Sequence, residues 1–454
     1  MARPFYEKVD WIVVMAALML AVVSLFTIYS ASSSGAGQQD IVLKQAGWFV
    51  LGFLLIALIT SIDYHIISAL AYPFYGAVLL SLAAVLVVGE KIMGATRWFK
   101  LGTISIQPSE LAKIALILVL AKYFSSKRKE TFYLSDVFLS AIFLALPVGL
   151  ILKEPDLGMS ILLFPVYVAI VFVAGIDLKP VLKILLFRPL LIILVLGLVF
   201  SMLYKKPMDE YWKITEPSLM AFKESGMPTD VLENLEKLLH REYTQEEKFV
   251  HDVEEKIGKE SLAEYRTVIW EYTRARFPLV TFPFMFLWLH LEEYQRNRLV
   301  AFISPSSDPL GSGYHVIQSQ IAIGSGGVWG KGFMNGTQSQ LKFLPEQFTD
   351  FIFSVFSEEW GFVGSVVLLS LYLILILRGL SIATKARDKL GRLIVVGVVT
   401  VWLVHAFVNV GVTTGIMPVT GLTLPFMSYG GSSIFSTSIG LGLLLNVSYR
   451  RFDF

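Results

Sequence analysis

The sequence contains no cysteine. That excludes disulfide staples, thiolate nucleophiles and cysteine-ligated metals. Charge is also scarce: charged residues make up 16% of the chain, where soluble domains carry about 25%. HExxH, GxxxxGK[ST] and GxSxG are all absent. Neither a zinc-peptidase helix, a nucleotide-cradling loop nor a serine-hydrolase elbow is therefore expected. A net charge of +2 with a pI near 8.4 is too mild to suggest nucleic acid as a partner. No low-complexity tract and no inverted repeat stands out.

What is plentiful is apolar length. Hydrophobic residues reach 55% and mean hydropathy is +0.65. Apolar runs lie near 11–31, 46–62, 67–89, 110–125, 136–152, 158–176, 181–204, 351–377, 393–414 and 433–448. Each reaches or approaches the roughly 20 residues that cross a bilayer. The expected fold is an all-α polytopic membrane protein of about ten transmembrane helices. The run WIVVMAALMLAVVSLFTIYS after Asp10 is read as a retained first span rather than a signal peptide.

Lys and Arg in the short loops set the orientation. Arg3, Lys8, Lys127-Arg128-Lys129, Lys179, Lys183, Arg188, Arg378, Lys385, Arg387, Lys389, Arg392 and Arg450-Arg451 fall on one side of a ten-span chain. Both termini are expected in the cytoplasm. Segments 1–204 and 351–454 then hold seven and three spans. Segment 205–277 is charged, with apolar residues at helical spacing in VLENLEKLLH and EEKFVHDVEEKIGKESL. It reads as a helical insertion on the outer face. Segment 278–350 is an outer stretch whose PLVTFPFMFLWLH suits an interfacial or re-entrant piece.

Polar groups gather at the outer ends of the spans. LPEQFTDFIFSVFSEEWG places Glu346, Asp350, Glu358 and Glu359 in or beside a greasy stretch. Ahead of it, DPLGSGYH, IGSGGVWGKGF and GTQSQLKF read as a long Gly-rich loop that lines a cavity or folds over helix ends. GATRWFKLGTISIQPSELAK carries Arg97 and Lys100 in an outer loop, and Glu110 and Lys113 at i,i+3 on one helix face. KEPDLGMS places Asp156 as a helix N-cap or a functional acid. HLEEYQRNRLVAF adds Arg298, and PVTGLTLPFMSYGGSS, with Tyr429 and Gly430, reads as a broken helix. His405 and Asn409, at i,i+4 in the ninth span, read as interhelical hydrogen-bonding groups. Arg97, Lys113, Arg298 and Lys331 are candidates to hold a phosphate-bearing ligand, and Asp350 and Glu346 candidates for acid–base work. Glu358 and Glu359, about 12–14 Å further along one helix at about 1.5 Å per residue, are expected to pair with neighbouring spans.

These blocks resemble the signature motifs of the SEDS family, the shape, elongation, division and sporulation membrane glycosyltransferases of bacteria. The likeness covers nearly all of the chain except about 205–277. GTQSQL ahead of LPE is closer to the elongation members (RodA) than to the division members (FtsW). The resemblance implies polymerisation of lipid II into peptidoglycan outside the cytoplasmic membrane, during elongation and rod-shape maintenance. It also implies work with a class B penicillin-binding protein, among membrane lipids. It carries the family's essential aspartate onto Asp350, and its QPSE and PDLG positions onto Glu110, Lys113 and Asp156. Two positions depart from the family: Phe348 stands where members often have His, and Lys342 where an acid is common. A divalent cation, Mg²⁺ or Mn²⁺, fits such chemistry; no nucleotide or organic cofactor is expected. Two other readings stay open: a lipid-substrate flippase, and a non-catalytic scaffold for a synthase partner.

Overall fold

The computed structural model describes residues 9–32, 38–92, 95–101, 104–127, 134–154, 156–175, 302, 312–341, 343–344 and 346–451. All of them belong to one compact unit made of residues 1–178 and 297–454; a second unit, 179–296, lies outside the described residues. So do the expected span 181–204, the charged insertion 205–277, the segment 278–290, Arg298 and Lys342.

The long apolar runs fold as helices, because a helix pairs nearly all of its own backbone polar groups. In order these are α1 (Trp11–Ser32), α2 (Gln38–Ser61), the short α3 (Tyr64–Ala69) and α4 (Ala71–Val88). Strands β1 (Glu90–Ile92), β2 (Ala95–Leu101) and β3 (Ile104–Ile106) follow. Then come α5 (Pro108–Ser126), α6 (Leu134–Lys153), α7 (Leu157–Val173), α8 (Ser312–Ser325), α9 (Thr337–Gln340), α10 (Ile352–Thr384), α11 (Lys389–Thr413) and α12 (Gly431–Arg450). Seven of them, α1, α2, α4, α6, α10, α11 and α12, are long and apolar enough to cross a membrane. α7 is apolar but shorter, and α5 carries Glu110 and Lys113 in its opening turns.

Contacts sort the helix termini into two ends, as alternating spans require. At one end Arg378 binds Asp10 at 2.6 Å, His65 binds Asp388 at 2.7 Å, and Arg450 approaches Asp63 at 3.6 Å. At the other, Gln107 N donates to Ser432 Oγ at 3.1 Å and Arg97 Nε to the Glu154 carbonyl at 3.0 Å. Helix α12 packs along α2, and α10 along α11 and α1.

Three features depart from the expectation. The loop holding Arg97 and Lys100 is a three-stranded antiparallel sheet in the order β1-β2-β3, so the fold is not purely helical. Trp98 faces Glu90 in it, and Phe99 faces Ile106. Its aromatic and β-branched residues suit a pleated, half-buried ribbon. The Gly-rich stretch before Asp350 contains α8, whose Val316, Ser319 and Ala322 recur at helical spacing and are buried. The stretch 414–430 is irregular rather than a broken helix.

A fourth departure matters most for function. Helix α10 is not one rod but breaks at Gly361, with φ 64° and ψ −163°. The loop 326–332 enters the break and takes up its backbone groups. Phe362 N donates to Gly327 O and Val363 N to Val328 O, while Lys331 N and Gly332 N donate to the carbonyls of Glu358 and Glu359. Glu359 hydrogen-bonds Ser30, and Phe351 packs in one cluster with Ala31, so both ends of 351–360 meet the same turn of α1. Glu358 and Glu359 therefore lie beside that turn, not deeper in the bilayer as a continuous rod would place them.

That backbone geometry is open only to glycine, and a Cβ on Gly361 would sit 2.3 Å from Gly330 N and 2.7 Å from Val328 O. Gly361→Ala is expected to lower the melting temperature by several degrees, at a cost of about 1–3 kcal/mol. Gly47→Ala, with open space around the new Cβ, is the matched control and should melt like the parent. Size-exclusion chromatography after graded heating in detergent reads both.

Candidate functional site

The segment before α10 is held from three sides. Tyr429 N donates to the Phe348 carbonyl at 2.7 Å, Ser428 Oγ to the Thr349 carbonyl at 2.6 Å, and Asn409 Nδ2 to the Asp350 carbonyl at 2.9 Å. Three successive carbonyls are thus gripped by α11 and the 414–430 loop. Asn409 Nδ2 also donates to Leu422 O at 2.8 Å, which ties that loop to the same point. Ser428 Oγ in turn accepts from Leu424 N at 2.8 Å. On the opposite side Gln347 Nε2 donates to Ala31 O at 2.9 Å. Below the turn, Phe351 is buried with Leu344, Val355 and Val412. Asp350 remains half-buried above this floor, while Phe351 and Ile352 are closed off. The cap position of α10 is Phe351, not Asp350, and it has no side-chain cap.

Glu346 belongs to the same turn. It is exposed, adopts a positive φ of 50°, and its carboxylate accepts from Thr349 Oγ1 at 3.2 Å. Gly430, with φ 154°, is the N-cap position of α12, and its N–H points to Gln45 Oε1 at 3.4 Å.

A buried polar cluster supports the loop from beneath. Lys113 Nζ lies 2.6 Å from Glu110 Oε2 and 3.1 Å from His405 Nε2. Ser436 Oγ donates to Glu110 Oε2 at 2.5 Å. His405 Nδ1 lies 2.8 Å from the Thr423 carbonyl, adjacent to the residue Asn409 holds. An ion pair so buried adds little net stability, but removing one partner strands the other charge. Lys113, expected to bind substrate, is thus committed to Glu110 and His405.

The PDLG region forms a third group. Asp156 caps α7, accepting from Met159 N at 3.1 Å, and its other oxygen takes Gln107 Nε2 at 3.1 Å. Arg97 stands 3.9 Å from it. Glu154 is fully buried beside them, and neither carboxylate oxygen has a hydrogen-bond partner among the described residues. Burial, and secondarily the charge of Asp156, push its carboxyl up to about 8 against the pull of Arg97.

Lys331 pairs with Glu358, at 2.8 Å, and with Thr337 Oγ1 at 2.7 Å. Glu358 Oε1 also accepts from Gln338 N and Thr337 Oγ1, both at 3.1 Å. Among the described residues no three His, Cys, Asp or Glu side chains gather into a metal cage. Sequence reasoning missed Asn409 and Ser428 as clamps on the Asp350 turn, and missed Glu154. The signals present were an Asn at i+4 from His405 inside a span, and the Glu next to the Pro of KEPDLG.

A family profile described as "Cell cycle protein" and labelled for FtsW, RodA and SpoVE matches residues 8–226 and 265–452. The gap falls inside the charged segment 205–277. The peptidoglycan glycosyltransferase RodA of Treponema pallidum (strain Nichols) is 34% identical over 445 residues, covering 97% of this chain and 98% of that protein. The peptidoglycan glycosyltransferase MrdB of Escherichia coli (strain K12) is 30% identical over 451 residues, 99% of this chain and 96% of that protein. A solved structure described as the structural coordination of polymerization and crosslinking by a peptidoglycan synthase complex contains a similar chain. It is 32% identical with a TM-score of 0.64, over 98% of this chain and 99% of that one.

Glu154 carries a pH signature. Folded, it holds its proton up to about 8; unfolded, it releases it near the ordinary 4.5. The stability it contributes is therefore fully present below the ordinary value and is lost as pH rises through the folded one. Glu154→Gln keeps the neutral shape. It should melt with the parent at about pH 5 and several degrees above it at about pH 9. Equal pH dependence in both proteins would contradict a neutral buried acid.

Proposed function

Since the chain belongs to the FtsW/RodA/SpoVE family of cell cycle proteins, we propose that it is a multi-pass membrane glycosyltransferase that polymerises lipid II into peptidoglycan strands during cell elongation. Asp350 is its general base. It takes the proton from the 4-hydroxyl of the acceptor's N-acetylglucosamine. The freed oxygen attacks C1 of the donor's N-acetylmuramic acid from the face opposite the pyrophosphate. The glycosidic C–O bond forms as the C1–O bond to undecaprenyl pyrophosphate breaks, with inversion at C1.

The observation that carries this reading is the grip on Asp350: three fixed carbonyls beneath a half-buried carboxylate. A base contributes about 10²–10⁴ in rate only when its geometry is held, and about 1 Å of misplacement costs roughly 10². The buried Glu110–Lys113–His405 cluster stiffens the loop that supplies the grip. Lys331 is spent on Glu358, so of the cations proposed for the pyrophosphate Arg97 remains beside the PDLG turn, and Arg298 lies outside the described residues. Arg97 already contacts Glu154 O and Asp156, which leaves it a shared role.

A divalent ion, Mg²⁺ or Mn²⁺, would offset charge on the leaving pyrophosphate and takes only one or two protein carboxylates. Glu346, exposed on the same turn, would be the residue to hold it while Asp350 acts as the base. The end carrying Arg378, Lys385, Arg387, Lys389, Arg392 and Arg450 is assigned to the cytoplasm by its basic excess. Asp350's end then faces outward. A class B penicillin-binding protein is the proposed partner, cross-linking the strands made here.

Purified Asp350→Asn should fold and melt like the parent yet make no glycan polymer from lipid II. Full polymerisation would refute the base. Asn409→Ala frees the Asp350 and Leu422 carbonyls. It should lower the polymerisation rate roughly 10²-fold while lipid II binding stays within about twofold. A loss of binding instead would assign Asn409 to substrate recognition.

A further inference from the structure

The loop 326–334 has two contrasting faces. The backbone groups of Gly327, Val328, Lys331 and Gly332 turn inward, onto the break at Gly361. Its one charge, Lys331, is turned inward onto Glu358, which is fully buried. Outward it presents apolar side chains. Trp329 is 80% exposed and Val328 56%, beside Trp360 and a 66% exposed Phe362 on α10. A loop built for water would show the opposite arrangement, charge out and rings in.

The patch is continuous with two apolar stripes. On α10 the exposed residues Phe362, Val366, Leu369, Leu373, Leu377 and Leu380 follow helical spacing down one side. On α1 the exposed Met15, Met19, Val22, Phe26 and Tyr29 do the same. The α1 stripe meets the loop at Phe333, whose ring lies 5.9 Å from Phe26 and 6.4 Å from Tyr29, and the α10 stripe meets it at Phe362, whose N–H donates to Gly327 O.

Two rulers from a common origin, the Asp10–Arg378 pair, give the level of that meeting point. Phe362 stands about 24 Å from Arg378 along α10, and Tyr29 about 27 Å from Trp11 along α1, at about 1.5 Å per residue. Against a hydrocarbon core of roughly 30 Å, both put Gly361 and the loop bonded to it within about 6 Å of the core's edge. Trp and Tyr concentrate at this boundary, where rings meet headgroups.

We propose that loop 326–334, together with Trp360 and Phe362, is an anchor in the headgroup–acyl boundary of the leaflet at the Asp350 end. The occupant is the bilayer itself. Backbone groups turned onto the break, an inward charge and an outward Trp are what that boundary selects. The anchor is bonded to the carbonyls of Glu358 and Glu359, only one short helix from Asp350. The height of the Asp350 turn is therefore referenced to the membrane surface. The inference needs no catalytic assignment, and its test reads depth rather than activity.

The chain has no cysteine, so single cysteines can be placed in it without background. Full-length Trp329→Cys and Phe362→Cys are labelled with an environment-sensitive nitrobenzoxadiazole and reconstituted in phosphatidylethanolamine–phosphatidylglycerol vesicles. Lys100→Cys, exposed on the small sheet at the same end, is the aqueous control. Positions 329 and 362 should be quenched several-fold more by lipids carrying a nitroxide near the headgroup than by iodide. Position 100 should show the reverse. Iodide reaching position 329 as readily as position 100 would overturn the anchor. Screening of 329 from both quenchers would overturn it too, since protein, a second copy or another chain, would then cover the patch. Val328→Cys repeats the measurement should Trp329→Cys fail to fold.

Discussion

A backbone polar group in an apolar bundle has no water to turn to, and each one left unpaired costs several kcal/mol. Helices meet this constraint alone; irregular segments meet it only by pairing with one another. Here the described irregular pieces near the Asp350 end do so as a set. Loop 326–332 satisfies the break at Gly361, and the 414–430 loop with Asn409 satisfies the turn at 348–350. Neither pairing can be undone without exposing the other partner's amides or carbonyls. The site is rigid for this reason rather than because it sits on a regular element.

The same constraint explains where charge is tolerated. Glu110 is matched by Lys113, Asp10 by Arg378, and Glu358 by Lys331, each within 2.8 Å or less. His405 links the first of these pairs to Thr423, on the loop that holds the Asp350 turn. A cluster that looks purely structural thus lies one hydrogen bond from the segment proposed to do chemistry. Glu154 is different, a buried carboxyl kept neutral by burial next to Asp156. Perturbed acids of this kind concentrate near functional sites, and the PDLG turn that holds it is also where Arg97 docks.

Much of this was legible without coordinates. The spans follow from apolar length, the Glu110–Lys113 pair from its i,i+3 spacing, and the Asp156 cap from an acid before an apolar run. Less legible was the sheet at 90–106, where short strands were read as a loop within an otherwise helical chain. From sequence, Lys331 is a phosphate-binding candidate as one of the cations near the outer ends of the spans. Its ion pair with Glu358 spans 27 residues, and no local pattern reveals a contact at that separation.

By itself the sequence determined the class of solvent, the rough number of crossings, the location of the polar groups at one end, and the family. Each of these rests on composition or on local spacing, which folding does not alter. Only the tertiary structure decided that α10 breaks at Gly361, that Asn409 of a different helix holds the Asp350 carbonyl, and that the Glu154 carboxylate has no hydrogen-bond partner among the described residues. Those outcomes depend on which backbone groups of distant segments can reach each other once water is excluded, and that is settled by packing.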